Sequence, residues 1–314
     1  MKKSRITVIF LLIVSLFISC NNKDEEKKTE EDREPVVVAS KIDTEGALLG
    51  NMIVHLLEDA GIPVENRTEF GTTDVIRKAI MSGEIDIYPE YTGNGAFFYS
   101  GSDSTVWKDL EKGYQTIKKL DYDAGKIVWL RPSPANNTWA IAVRKDLADK
   151  EGMKTLSDLA AYVNGGGVAK LAGSEEFVSR PDSLPSFEAA YGFHFEKDQL
   201  LILSGGNTAT TEKAAARGTD GVNLAMAYGT DGQLAALGLL VLEDNLMVQP
   251  VYAPAPIIRE DTLQANPEIE ALLKPVFESL DGPILQALNS AIAVEGRDAA
   301  SVAMEYLKSA GFLK

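Results

Sequence analysis

The sequence predicts an α/β protein built as two lobes. Three observations carry that prediction. Strand-like and helix-like stretches alternate from residue 36, a second alternating set opens near 155, and beyond about 245 the chain turns to amphipathic helix. The 314 residues suffice for two compact units, and 45% apolar with 25% charged residues is the balance of a globular chain. A net charge of -15 offers no basic stripe to phosphates and speaks against nucleic acid as a partner.

The first twenty residues stand apart from the fold. "MKKSR" is a positive leader, and "ITVIFLLIVSLFIS" is an apolar run too short for a comfortable membrane span. Cys20, the only cysteine in the chain, follows directly. "LFISC" resembles a bacterial lipobox, although Phe17 departs from the usual small aliphatic. That resemblance implies a lipoprotein signal peptide over 1–20 with Cys20 as the lipidated residue. The blander reading is a secreted chain cut elsewhere. Residues 21–35 carry four basic and seven acidic residues and no apolar face, so they read as a disordered charged tether.

"VVVASK" (36–41) reads as a buried strand. Asp43 or Thr44 can cap the next helix, where Leu48, Leu49, Met52, Ile53, Leu56 and Leu57 recur at helical spacing until Gly61. A strand near 64–70, a helix over 72–82 and a strand at 84–88 follow, with Pro89 expected to end the ladder. This alternation predicts a parallel sheet. A helix near 105–120, a strand at 126–130 and the strand "TWAIAVR" (138–144) come next. The second set has a helix at 155–163, a strand at 168–172, helices at 184–191 and 208–217, and the strand 222–228. The domain reading is 36–137 with 246–314 as lobe I, and 138–245 as lobe II, with a ligand cleft between them.

Enzyme chemistry finds little support. His55 lies in an amphipathic helix and His194 in a polar stretch, neither with a metal-ligand partner at a useful spacing, so no metal is expected. No G-x-S-x-G, P-loop or G-x-G-x-x-G motif is present, so no cofactor is expected either. Carboxylate pairs abound in an acidic chain, which makes the pair in "DIYPE" uninformative.

Binding is better served. "YPEYTGNG", "PANNTWAIAV", "AMAYGTDG" and "QPVYAPAPIIR" each set an aromatic residue beside turn formers. Ring faces can surround a cation, and several rings suit a methylated ammonium that donates no N–H. Aromatics at strand ends also serve as ordinary core or rim.

Five segments, "SKIDTEGALLGNMIVHLLEDAG", "GTTDVIRKAIMSGEIDIYPEYTG", "NNTWAIAVR", "EFVSRPDSLPSFEAAYGF" and "AYGTDG", resemble the substrate-binding components of osmoprotectant ABC transporters. That family takes glycine betaine, choline, carnitine and proline betaine, and the likeness runs from about 36 to 314. It implies a class II periplasmic binding protein with a two-segment hinge, held outside the cytoplasm. It also implies a small quaternary ammonium ligand, permease and ATPase partners, a lipid anchor in a bacterial membrane, and a monomer. Tyr91, Trp139, Tyr228 and Tyr252 fall where the family places aromatic cage residues. Lys41 and Arg180 fall where it grips the ligand carboxylate, and Asn94 where it adds a hydrogen bond. Asn137 stands where related members often carry aspartate, so the resemblance implies that Asn137→Asp tightens binding. A protein of the same fold for another small solute, such as an amino acid, remains the alternative.

Overall fold

The computed structural model describes residues 33–313 except 102, 206 and 235. The signal peptide, Cys20 and nearly all of the tether lie outside the described residues. In β1 (Val36–Lys41), Val36 and Val38 to Lys41 are buried. Asp43 then caps α1 (Thr44–Asp59), its carboxylate accepting from Gly46 N at 2.7 Å. The chain continues through β2 (Val64–Gly71), α2 (Thr73–Ser82), β3 (Ile87–Tyr91), the short α3 (Gly95–Phe98), α4 (Leu110–Gly125) and β4 (Ile127–Trp129). A second run holds β5 (Trp139–Arg144), α5 (Lys145–Glu151), α6 (Leu156–Asn164), β6 (Leu171–Ser174), α7 (Glu175–Ser179), α8 (Leu184–Tyr191), β7 (Leu200–Leu203), α9 (Thr208–Arg217), β8 (Leu224–Tyr228) and β9 (Leu239–Val241). The chain then returns through β10 (Pro254–Arg259), α10 (Glu260–Ala265), α11 (Glu268–Ser279), α12 (Gly282–Ala293) and α13 (Ala299–Ser309).

Two sheets result, ordered β2-β1-β3-β10-β4 and β7-β6-β8-β5-β9. Both are mixed, which corrects the expectation of a purely parallel sheet. β1 pairs in parallel with β2 and β3, whereas β10 runs antiparallel to β3 and β4. Hydrophobic residues of α1 and α11 to α13 (Leu49, Met52, Phe277, Val302) cover one face of the first sheet, and those of α2 and α4 (Ile80, Ile117) the other. Glu34–Lys314 form one compact unit.

Two further corrections concern proline. Pro89 does not end its strand: β3 runs on to Tyr91, and residues 84–86 precede it. The region after 245 is not all helix, because β10 begins at Pro254 and occupies a central place in the first sheet. Pro256 faces Pro89 across the β3–β10 pair. Two residues without N–H groups can oppose each other where an antiparallel ladder exchanges no hydrogen bond. The expected helix near 105 starts as a 3-10 turn (Ser104–Lys108) and becomes α-helix only at Leu110. The strand expected at 168–172 sits at Leu171–Ser174, and the sequence reading missed β7 and β9.

The chain passes between the sheets twice, and the two crossings run side by side. Ser133 N donates to Pro254 O (2.8 Å), Asn137 N to Tyr252 O (2.8 Å), and Tyr252 N to Asn136 Oδ1 (2.8 Å).

Candidate functional site

Each candidate side chain comes from an element end or a crossing. Lys41 ends β1 and Tyr91 ends β3, while Asn94 closes the turn that follows. Asn137 and Tyr252 lie on the two crossings. Trp139 opens β5 directly opposite Tyr228 at the end of β8, and their rings lie 5.0 Å apart. Arg180 follows α7. Lys41, Tyr91, Asn94, Asn137, Trp139, Arg180, Tyr228 and Tyr252 all line one cavity. Ile42, Asp43, Thr72, Thr73 and Glu176 complete the lining.

The "TGNG" glycines are there for close approach. A Cβ on Gly93 would come within 2.8 Å of the Tyr252 ring, and one on Gly95 within 2.2 Å of the Trp107 ring. Gly93 therefore makes room for a cavity aromatic. Trp139 is buried and stacks on Phe177 at 5.0 Å and 22°.

Both cations of the cavity already hold protein carboxylates. Lys41 Nζ lies 2.6 Å from Glu90 Oε1 and 4.8 Å from the centre of the Tyr91 ring. Arg180 clasps Asp182 with Nε (2.8 Å) and one terminal nitrogen (2.6 Å), and its other terminal nitrogen reaches Glu176 at 2.8 Å. The same guanidinium donates to Asn94 Oδ1 at 3.0 Å and lies over the Phe97 ring at 4.2 Å. Arg180 thus ties an element of the second sheet to the turn after β3. Asn94 in turn donates to Glu90 Oε1 at 2.6 Å.

Behind this wall sit two carboxylates: Glu90, which the sequence reading set aside with its partner in "DIYPE" as uninformative, and Glu45, which it did not single out. Glu90 accepts from Lys41, Asn94, Tyr91 N (2.7 Å) and the Tyr88 hydroxyl (2.9 Å). Burial pushes its carboxyl up, but the Lys41 charge and these donors outweigh burial and hold it below the ordinary value. Glu45 accepts from the Tyr91 hydroxyl (3.0 Å) and Asn137 Nδ2 (2.8 Å) on one oxygen, and from Thr230 Oγ1 (2.5 Å) and Asn289 Nδ2 (2.8 Å) on the other. Burial, partly offset by these bonds, pushes it up to about 7. Asp43, noticed in the sequence only as a helix cap, lines the cavity and is also raised by burial. Asp43 and Glu176 thus keep carboxylates in the lining where Asn137 supplies none.

His55 Nε2 meets Ala300 O at 3.0 Å, and the exposed His194 meets Glu188 at 2.9 Å. Among the described residues no His, Cys, Asp and Glu side chains gather as a metal site requires, and no helix is long and apolar enough to cross a membrane.

Residues 34–309 match the family model described as the substrate binding domain of the ABC-type glycine betaine transport system. The chain is 58% identical over 280 residues to glycine betaine-binding protein YehZ of Escherichia coli K12, covering 89% of this chain and 92% of that protein. It is 32% identical over 281 residues to a glycine-betaine-binding protein of Pseudomonas aeruginosa, covering 88% of each. The structure of apo YehZ superposes with a TM-score of 0.66 at 57% identity, covering 89% of this chain and 99% of that one.

Proposed function

The chain belongs to the family of substrate-binding domains of ABC-type glycine betaine transport systems, and from that premise we propose that it captures a quaternary ammonium osmoprotectant, glycine betaine first. The fold is that of a type II periplasmic binding protein, and the family comprises extracytoplasmic binding components of transporters rather than enzymes.

One observation carries the reading: side chains from both sheets and both crossings converge on a single aromatic-walled cavity. The methylated ammonium rests against Trp139, Tyr228, Tyr252 and the face of Tyr91 that Lys41 leaves open. Each ring contributes on the order of 0.5–2 kcal/mol as the site dries. Asp43 and Glu176 supply negative potential beside the cation. Arg180 and Asn94 receive the carboxylate, with Asp182 yielding one of its contacts, and Lys41 adds positive charge from behind Tyr91. Lobe I is 36–137 with 246–314 and lobe II is 138–245, hinged at the paired crossings. A lipid on Cys20 anchors the monomer outside the membrane, and the closed, loaded form is handed to a permease driven by its ATPase.

A second reading, a ligand of net positive charge such as choline, is favoured by the carboxylates already held by Lys41 and Arg180. Calorimetric titration with glycine betaine, proline betaine, carnitine, choline and common amino acids decides between them, with Trp139 fluorescence as a second readout. Binding of amino acids alone would remove the cage reading, and choline tighter than betaine would select the second.

A further inference from the structure

Glu45 occupies the second position of α1, where the helix dipole favours a carboxylate. It does not line the cavity; it stands behind Tyr91 and Asn137, which do. Its partners come from four places in the fold. Tyr91 belongs to β3 of the first sheet, Asn137 to the first crossing, and Asn289 to α12, which packs with α1. Thr230 follows β8 of the second sheet. One carboxylate oxygen therefore holds the cavity wall, and the other reaches across to the second sheet.

We propose that Glu45 is a positioning residue that couples closure of the two lobes to the placement of Tyr91 and Asn137 in the cavity. Opening draws Thr230 away and leaves that oxygen to Asn289 and water. Closing restores the four-donor cradle and with it the posture of the Tyr91 ring. The loop carrying Thr230 is received by α12 as well: Asn289 Nδ2 donates to Thr230 O and Gln286 Nε2 to Gly229 O, each at 3.1 Å.

The cradle accommodates either protonation state. Asn137 Oδ1 and Asn289 Oδ1 are buried without a hydrogen-bond partner, so turning either amide offers an acceptor to a protonated Glu45. The titratable groups facing Glu45 are Asp43, at the cap of its own helix, and the Tyr91 hydroxyl; Asn137, Thr230 and Asn289 present neutral donors. Burial raises the carboxyl in the closed form to about 7, and opening to water lowers it toward the ordinary range. The closed form thus binds the proton more tightly, and acidification from pH 8 to 5 favours closure by up to about tenfold per pH unit. Asp231 is also raised by burial and shares its site with Glu212, so the Glu45 share is the difference between wild type and Glu45→Gln.

The inference rests on the binding reading only for its ligand arm. Small-angle scattering of the ligand-free full chain between pH 5 and 8.5 should show a body that becomes more compact as pH falls. Glu45→Gln should flatten that profile. Thr230→Val, which removes only the donor across the cleft, should lower the closed-to-open ratio about tenfold and raise Kd for glycine betaine by a similar factor. A pH profile of compaction unchanged in Glu45→Gln would overturn the proposal. So would a Thr230→Val protein that unfolds more easily yet closes as wild type does. If Glu45→Gln fails to fold, Thr230→Val decides. If wild type ignores every quaternary ammonium compound, the ligand reading falls while the ligand-free profiles still test Glu45.

Discussion

Glu90 and Glu45 are both sunk behind the same cavity wall, and they meet burial in opposite ways. Glu90 has a cation against it: Lys41 at 2.6 Å, itself buried, holds the carboxylate ionised below its usual range. Glu45 has four neutral donors and rises to about 7. The two have similar numbers of hydrogen bonds, so hydrogen bonding alone does not set the difference. A full countercharge does. Glu90 makes a fixed strut, while Glu45 makes a contact that can change charge near neutrality.

The strongest way to break the comparison is to remove the strut. Glu90→Ala leaves Lys41 buried without its partner and should cost about 3–5 kcal/mol in urea denaturation. A loss below about 1 kcal/mol would mean that water reaches Lys41 and the pair is not the anchor described.

Acid titration separates the two carboxylates by sign. Glu45 is raised above its unfolded value of 4.5, so its ionised form weakens the fold above pH 7 and the penalty is relieved as pH falls toward 4.5. Glu90 is lowered, so its contribution is present above pH 4.5 and is lost as pH falls below that. Stability should rise from pH 8 to about 5, by at most about 3 kcal/mol, and then decline. Melting curves of Glu45→Gln should lose the Glu45 share of the upper branch, leaving that of Asp231, and keep the lower one. An upper branch as steep as that of wild type would sink the distinction.

Asn137→Asp sharpens it further. The sequence alone implies tighter ammonium binding from an added charge. The structure places that charge against Glu45, 2.8 Å from where Asn137 Nδ2 now donates. The two carboxylates should share one proton, so the pair carries a negative charge at pH 6, where wild-type Glu45 is largely protonated. Tightening of roughly threefold to tenfold is expected at pH 6 and little of it at pH 8, where wild-type Glu45 is already ionised. Calorimetry at the two pH values tests this, and equal tightening at both would show that the new charge does not feel Glu45.

The smallest effect is the control. Lys145 and Asp149 form an ion pair at 2.7 Å on the exposed face of α5. Lys145→Ala should change stability by less than about 0.5 kcal/mol, against several for Glu90→Ala. Comparable losses would remove burial as the deciding variable.

The aromatic side chains that line the cavity were legible through the resemblance of five segments to a known family; tyrosine or tryptophan beside Gly, Pro and Asn at a strand end serves by itself equally as core or rim. Their carboxylate supports were not. In a chain with 46 acidic residues, Glu45 and Glu90 carry no mark of their role; only the fold brings Glu45 to Tyr91 and Glu90 to Lys41, while Glu176 and Asp182 lie near Arg180 already in the sequence. β10 was missed for the opposite reason. Pro254 and Pro256 are strong signals against a strand, and they are overridden because Pro256 meets Pro89 where neither needs an N–H. β7 and β9, only four and three residues long, give too little pattern to read.

β4 has one neighbour in its sheet, and that neighbour is β10. The second sheet is made from consecutive chain, but the first waits for Pro254–Arg259 before β4 has a partner and the outer edge of β3 is covered. An emerging chain therefore carries an open β-edge while the whole of the second sheet is being synthesised. Assembly order is written into the strand order: the contiguous sheet can form first, and the sheet that holds Lys41 and Tyr91 is completed last.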